Sequence, residues 1–223
     1  MRSATISLVL AATLASGCGW RSLYHWRDEP YLRPVYAGGE EAAHARMQSR
    51  GVADRDIGCR VLSVIGREAL RTGDQETARR TARDLMAHYQ TEPSLIVRAS
   101  IMSLCLRNVG TGDEDVAKFL KERIARIDMV ASASYTLAVL RPAGAFEAIK
   151  GAYDTARDTG NFEHRYELLL ALWLLGDARA VPLFESSIAE VEKEWPARIH
   201  NMKKKTYART LASRLETLRV ACR

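Results

Sequence analysis

Apolar residues recur at helical spacing along almost the whole chain from residue 40 onward. After a first polar helix, Glu40 to Arg50, Ile57, Val61, Leu62, Ile65 and Leu70 mark one face of a second. Asp54 or Asp56 is placed to cap it, and Gly73-Asp74 ends it. Gln75 to Tyr89 follows, with Ala78, Ala82, Leu85, Met86 and Tyr89 in register. A run from Leu95 to Val109 stops at Gly110-Thr111-Gly112-Asp113 and is answered by Val116, Phe119, Leu120, Ile124 and Ile127. Met129 to Leu140 and Ala145 to Ala156 pair across Pro142 and Gly144, and Gly160 closes that unit. The strongest signal is Leu168 to Leu175, eight consecutive apolar residues. A helix apolar on every side must be covered on every side. Eight residues fall far short of the roughly 20 that cross a bilayer, so the cover is protein. Asn161 supplies an N-cap, Gly176 a left-handed stop, and Asp177 a cap for the next helix. Alternating β-branched runs are scarce and Ala, Leu and Arg dominate, so the expected class is all-α.

The turn signals Gly73-Asp74, Gly112-Asp113, Gly144 and Gly176-Asp177 are 39, 32 and 32 residues apart. Helix, turn, helix at such a period is the pattern of an α-solenoid. Leu62, Ile65, Gly66, Ala69, Gly73 and Ala78 resemble a tetratricopeptide repeat, whose first-helix Trp and Tyr are absent here. Ala171, Leu172, Leu175, Gly176-Asp177, Ala180, Val181, Pro182 and Leu183 resemble a HEAT-like repeat more fully. The resemblance implies about four hairpins, HEAT-like with the tetratricopeptide form as the alternative, in a domain over residues 40–194; a globular helical bundle is the competing architecture. Pro182 fits that scheme if its helix begins near Ala180, where the missing N–H costs little.

Charge then separates the two ends of the chain. Of the formal +6, the segment 195–223 carries +7, leaving the first 194 residues near −1. That segment predicts a long basic helix to about Val220, with Ile199, Met202, Leu211, Leu215 and Leu218 on one side. It serves as a solubilising cap for the last repeat, and Lys203, Lys204, Lys205 and Arg209 make it a site for anionic lipid or polysaccharide. At the other end, Met1-Arg2, the apolar stretch Ile6 to Leu14 and Ala15-Ser16-Gly17-Cys18 read as an export signal over residues 1–17. Its ending resembles the bacterial lipobox, with Ala15 where a Leu is usual. The resemblance implies an acylated Cys18 and, because Gly19 is not the aspartate that retains such proteins at the inner membrane, an outer-membrane address facing the periplasm. Residues 18–39 form a tether in which Trp20, Tyr24, Trp26, Tyr31 and Tyr36 sit beside Pro30, Pro34 and Gly38-Gly39, suiting extended chain. Its rings either pack back on the body or meet the lipid interface.

Chemistry is sparse. No HExxH, CxxC, phosphate-binding glycine loop or GxSxG elbow is present. Glu41 and His44 have the ExxH spacing of a carboxylate metal site without a second copy, so no metal and no cofactor are expected. His164 reads as a hydrogen-bonded or surface histidine, and Glu163 and Glu167 as surface neighbours rather than a glycosidase pair. With Cys18 acylated, Cys59, Cys105 and Cys222 remain. Stacking the helices in parallel puts Cys59 and Cys105 about 15 Å apart along the axis, beyond the disulfide limit near 7 Å, so both are expected buried and reduced. A bond from Cys222 to either stays open. Nucleic acid suits the charge but not the compartment. The expected function is a non-enzymatic envelope lipoprotein that scaffolds protein partners through its repeat surface. The alternatives are a binder of anionic lipid or polysaccharide, and an accessory to a cell-wall-acting enzyme.

Overall fold

The computed structural model describes the backbone of residues 33–126, 129–194 and 201–221, and the side chains of 34–126, 129–190 and 208–221. Every described element is helical. In chain order these are α1 (Arg33–Ala37), α2 (Gly39–Met47), α3 (Val52–Thr72) and α4 (Gln75–Thr91). A third rod joins α5 (Leu95–Ser100), a π-helical segment (Ile101–Cys105) and α6 (Leu106–Val109). Then come α7 (Glu114–Ala125), α8 (Val130–Leu140), α9 (Ala145–Asp158) and α10 (Phe162–Leu175). A short 3-10 turn (Ala178–Ala180) leads into α11 (Val181–Glu194), and α12 (Asn201–Ala221) ends the described chain.

Local chemistry sets most of these boundaries. Asp74 accepts from the Thr77 N–H at 3.0 Å, Asp113 from Asp115 and Val116, and Asn161 from His164 at 3.1 Å. Asp177 caps the 3-10 turn through the Arg179 N–H at 2.9 Å, so α11 starts late and Pro182 lies in its first turn, where no helical donor is lost. At Gly73 and Gly176 the backbone turns left-handed, with φ of 86° and 74°, which a side chain would resist.

The helices pack in two rows. α3, the α5–α6 rod, α8, α10 and α12 each lie against the next, and α4, α7 and α9 do the same beside them. Each of α7, α9 and α11 also lies on the first-row helix that follows it. Burial tracks the rows: α8 has no exposed residue and α10 only Glu163, whereas α4 and α9 each keep an exposed polar side. All eight residues of Leu168 to Leu175 are buried or half-buried, as an all-round apolar helix requires. Three polar links between the later units fall about one period apart, whereas Asn108 reaches Ser63 across 45 residues. Thr136 donates to the Met102 carbonyl at 2.6 Å, a separation of 34 residues; Tyr153 pairs with Ser187, again 34 apart; Arg179 donates to Glu147 at 2.6 Å, 32 apart.

One buried charge cluster fastens the first units. Arg55 forks onto both oxygens of Glu92 at 2.8 and 2.9 Å, with the Glu92 side chain sealed from solvent. The Ser94 N–H donates to the same carboxylate at 2.8 Å and His88 Nε2 lies 3.1 Å away. The start of α3, the end of α4 and the start of α5 are thereby held together.

Four expectations need correction. Neither Asp54 nor Asp56 caps α3: the helix begins at Val52 behind Gly51 with no side-chain cap. Asp54 is instead taken by Arg46 and by the Ser49 hydroxyl at 3.1 Å. The end of the tether is helical, not extended, because Pro34 falls in the first turn of α1 and Val35 is buried against the core. Leu95 to Val109 is interrupted by the π-helical segment. The longer α3 also alters the cysteine register. Cys59 is the eighth residue of α3 and Cys105 the eleventh of the third rod, an axial offset of about 4.5 Å rather than 15 Å. Both are nevertheless free thiols, fully buried.

Candidate functional site on the first helix row

Where α8, α10 and α12 lie side by side, the row carries polar groups among half-buried side chains. On α10 the positions Glu163, Tyr166, Glu167, Leu170 and Trp173 follow helical spacing along one stripe. Its other side, with Leu168, Leu169 and Leu172, is buried. α8 is built from small residues, VASASYTLAVL, with Tyr135 as its one aromatic. Burial, together with the negative charge of the neighbouring Glu167, drives the Tyr135 phenol far above its ordinary range. Tyr166 pairs with Thr210 of α12, and its phenol is also raised, mainly by burial. Arg214, one turn beyond Thr210, lays its guanidinium 3.9 Å from the centre of the Trp173 ring, a favourable cation–π contact.

Glu167 is the unusual member. Burial pushes its carboxyl upward, the Tyr135 hydrogen bond opposes this, and the negative charge of Glu163 adds to the rise. Several other half-buried acids have basic partners, Glu40 with Arg80, Glu68 with Arg71, Asp154 with Lys150 and Glu190 with Arg165, while Asp113 and Glu122 have no ion pair among the described residues. Glu167 makes no ion pair among the described residues, and Arg214 of α12 is stacked on Trp173.

The sequence-predicted residues scatter around this site. Cys18 and Cys222 lie outside the described residues. Lys203, Lys204 and Lys205 belong to the first turns of α12, but their side chains lie outside the described residues; Arg209, on the same helix, is exposed. The helix itself seats Leu211, Leu215 and Leu218 in the core, and Arg219 reaches Glu185 of α11. Glu41 and His44 do not converge: His44 Nε2 faces Asp84 at 3.4 Å. Among the described residues no group of three or more His, Cys, Asp or Glu side chains is arranged to hold a metal. His164 packs its Nδ1 at 3.0 Å from the Asn161 amide, and burial lowers its basicity against the pull of Glu163. Glu163 is exposed and Glu167 half-buried, so the two neighbours have different surroundings. Sequence reasoning overlooked Tyr135, whose signal was its place as the lone large polar residue in a helix of small ones.

Two surface grooves lie elsewhere, between α4 and α7. One of about 320 Å³ is lined by Met86, Gln90, Lys118 and Phe119 among others. The other, about 500 Å³, mixes Arg79 and Arg83 with Glu76, Asp113 and Asp115. Opposite charges within one groove cancel much of each other's field, leaving no net preference for a cation or an anion. No helix among the described residues is long and apolar enough to cross a membrane. No protein-family model, no curated protein and no solved structure matches the chain.

Proposed function

We propose that this protein is a non-enzymatic lipoprotein of the bacterial envelope, anchored through Cys18 at the outer membrane, whose stacked helical hairpins form a scaffold for protein partners. The observation that carries this reading is the agreement of two periods. The turn signals recur every 32 residues over the last three units, and three side-chain links in that part of the chain join residues 32 or 34 apart, while links in the first units span 37 to 45. Units that repeat and interlock at one spacing over this part of the chain fit a stack of about four hairpins, HEAT-like in its last unit. In the first unit the small residue Gly66 lets α3, α4 and α6 approach closely, which suits the tetratricopeptide alternative there. Such stacks present an extended surface and act mainly by binding polypeptides, although fold alone is a weak guide to function.

The test is purification of the full chain from detergent-solubilised membranes, beside Cys18→Ala. The reading expects a fatty-acid label on the wild type only, and a partner in fixed ratio. Unlabelled wild type removes the anchor, and wild type recovered alone removes the scaffold. A second reading, contact with anionic lipid or polysaccharide through α12, is favoured by the exposed Arg209 on a helix that also carries Lys203, Lys204 and Lys205. Charge reversal at the three lysines should then release the protein from anionic vesicles, as should high salt.

A further inference from the structure

Among the described residues four large apolar side chains are exposed, and three of them share one corner of the fold. Val52, 42% exposed, opens α3, and Leu95 and Ile96, at 56% and 65%, open α5. The corner is fixed from beneath. Arg55, one turn into α3, forks onto Glu92, and the Ser94 N–H, directly before Leu95, donates to the same carboxylate. The two helix starts are thereby held together while their first apolar side chains stay in solvent. The charge around them is positive. Residues 46–60 and 91–98, which build the corner, hold five arginines (Arg46, Arg50, Arg55, Arg60, Arg98) against three acids (Asp54, Asp56, Glu92). Each acid already has an arginine: Asp54 has Arg46, Asp56 has Arg60 and Glu92 has Arg55. Arg50, two residues before Val52, is exposed and adds to the excess. Exposed apolar side chains grouped in this way mark a contact surface, and a basic rim complements an anionic one. The three side chains together expose less than two whole residues would, far below the roughly 20–30 residues a side of a stable protein interface. Lipid sets no such threshold, because insertion strengthens with each increment of apolar area and of attraction to anionic headgroups.

We propose that Val52, Leu95 and Ile96 dip into the surface of an anionic lipid bilayer, with Arg50 among its headgroups, and so set how the body lies on the membrane. The inference rests on the anchored reading above and adds an orientation to it. The described chain begins at Arg33 on α1, which packs on α2 and α3. The tether and the corner therefore belong to the same end of the rows. The 15 residues from position 18 to position 32 span at most about 50 Å, which keeps the corner within reach of the bilayer that holds Cys18. Three part-exposed side chains bind lipid weakly by themselves. Tethering makes such a contact effective, because the second encounter is then intramolecular.

The test uses the full acylated chain in vesicles of phosphatidylglycerol and phosphatidylcholine. A nitroxide is placed on Ala53→Cys, an exposed position next to Val52, or on Gly151→Cys, exposed on α9, each combined with Cys222→Ser. Cys59 and Cys105 are buried and stay unlabelled. Oxygen partitions into lipid while a nickel chelate stays in water, so the ratio of their effects on the label reads depth. That ratio should rise several-fold at residue 53 on vesicles and stay flat at residue 151. Leu95→Gln with Ile96→Gln should return it to its value in water, and because both sites are exposed the melting midpoint should hold. High salt, or vesicles of phosphatidylcholine alone, should lower it. A label at 53 as wet as the one at 151, or as dry in the double variant, overturns the proposal. An equal ratio on phosphatidylcholine alone overturns the choice of an anionic surface. Shielding of residue 53 in the Cys18→Ala chain without vesicles overturns it too, and assigns the corner to the tether or to a second copy. Wild type without a fatty-acid label overturns the anchored reading and this one with it; an anchored chain with a wet corner overturns this one alone.

Discussion

Adding one methyl group at Gly66 should destabilise the protein, and adding the same methyl at Gly151 should stabilise it. Both glycines are helical, Gly66 in α3 and Gly151 in α9. Replacing either by alanine removes the backbone freedom of glycine in the unfolded chain, a gain of about 0.5–1 kcal/mol. The difference lies in what the new atom meets. At Gly151 no heavy atom stands within 4 Å of the added Cβ. At Gly66 the Cβ runs into the Thr81 hydroxyl and comes within 2.6 Å of Val109 Cγ1. Thr81 is fully buried and bonded to the Ala78 carbonyl at 2.8 Å, and Val109 is 1% exposed, so neither has room to give way. Overpacking of this kind costs about 1–3 kcal/mol. Set against the backbone gain, the net expectation for Gly66→Ala is a loss of about 1–2 kcal/mol. At about 2–4 °C per kcal/mol for a chain of this size, the midpoint should fall by about 2–8 °C. Gly151→Ala should rise by about 1–4 °C. Scanning calorimetry on both variants and the wild type decides the matter. A Gly66→Ala protein as stable as Gly151→Ala would refute the close approach of α3, α4 and α6.

Removing the buried carboxylate at Glu92 leaves Arg55 without its fork, and Glu92→Gln should cost about 3–5 kcal/mol in urea unfolding; a loss under about 1 kcal/mol would refute the buried pair. The two acids Glu92 and Glu167 should also respond to pH with opposite signs. Burial raises Glu92, but the Arg55 hydrogen bond, the Ser94 N–H and the charges of Arg55 and His88 outweigh it and hold the carboxyl below its usual 4.5. Its contribution is therefore present above pH 4.5 and lost as the pH falls through the lowered value. Glu167 is raised, so its contribution is present below pH 4.5 and lost as the pH climbs through the raised value. Urea midpoints across that range should show Glu167→Gln flattening the loss at higher pH and Glu92→Gln flattening the loss at lower pH. Thr136→Val strands the buried Met102 carbonyl and should cost about 1–3 kcal/mol by the same assay. Burial pushes the Cys59 thiol far up and the Cys105 thiol up to about 12, so a thiol reagent at neutral pH should label neither until the chain is unfolded. Labelling of the native protein at the rate of a free thiol would contradict their burial.

The helices were legible where a single residue decides a boundary. Asn161, Asp74, Asp113 and Asp177 act as caps because their short side chains reach N–H groups two or three residues on, which depends on sequence neighbours alone. The burial of Leu168 to Leu175 was legible for a similar reason, since no arrangement leaves such a run wet. Features that depend on distant partners were not. The π-helical segment at Ile101–Cys105 departs from regular α-helical bonding, and the Met102 carbonyl within it accepts from Thr136, 34 residues away. Asp54 has the chemistry of a cap but is drawn off by Arg46 and Ser49. Glu163 and Glu167 look alike in the sequence, and only the position of α8, with Tyr135, makes them different. A carboxylate's neighbours across helices have no local signature.

The short offset of the links from one unit to the next, from 32 to 45 residues, bears on how the chain acquires its shape. A bond between residues 34 apart closes a loop of about the same modest length wherever it forms, so no pairing has to wait for the two ends to meet. Assembly can start in any pair of neighbouring hairpins and spread outward by accretion. Damage should travel just as short a distance: a lesion at Thr136 should loosen the junction it serves while the opposite end of the row keeps its protection against hydrogen exchange.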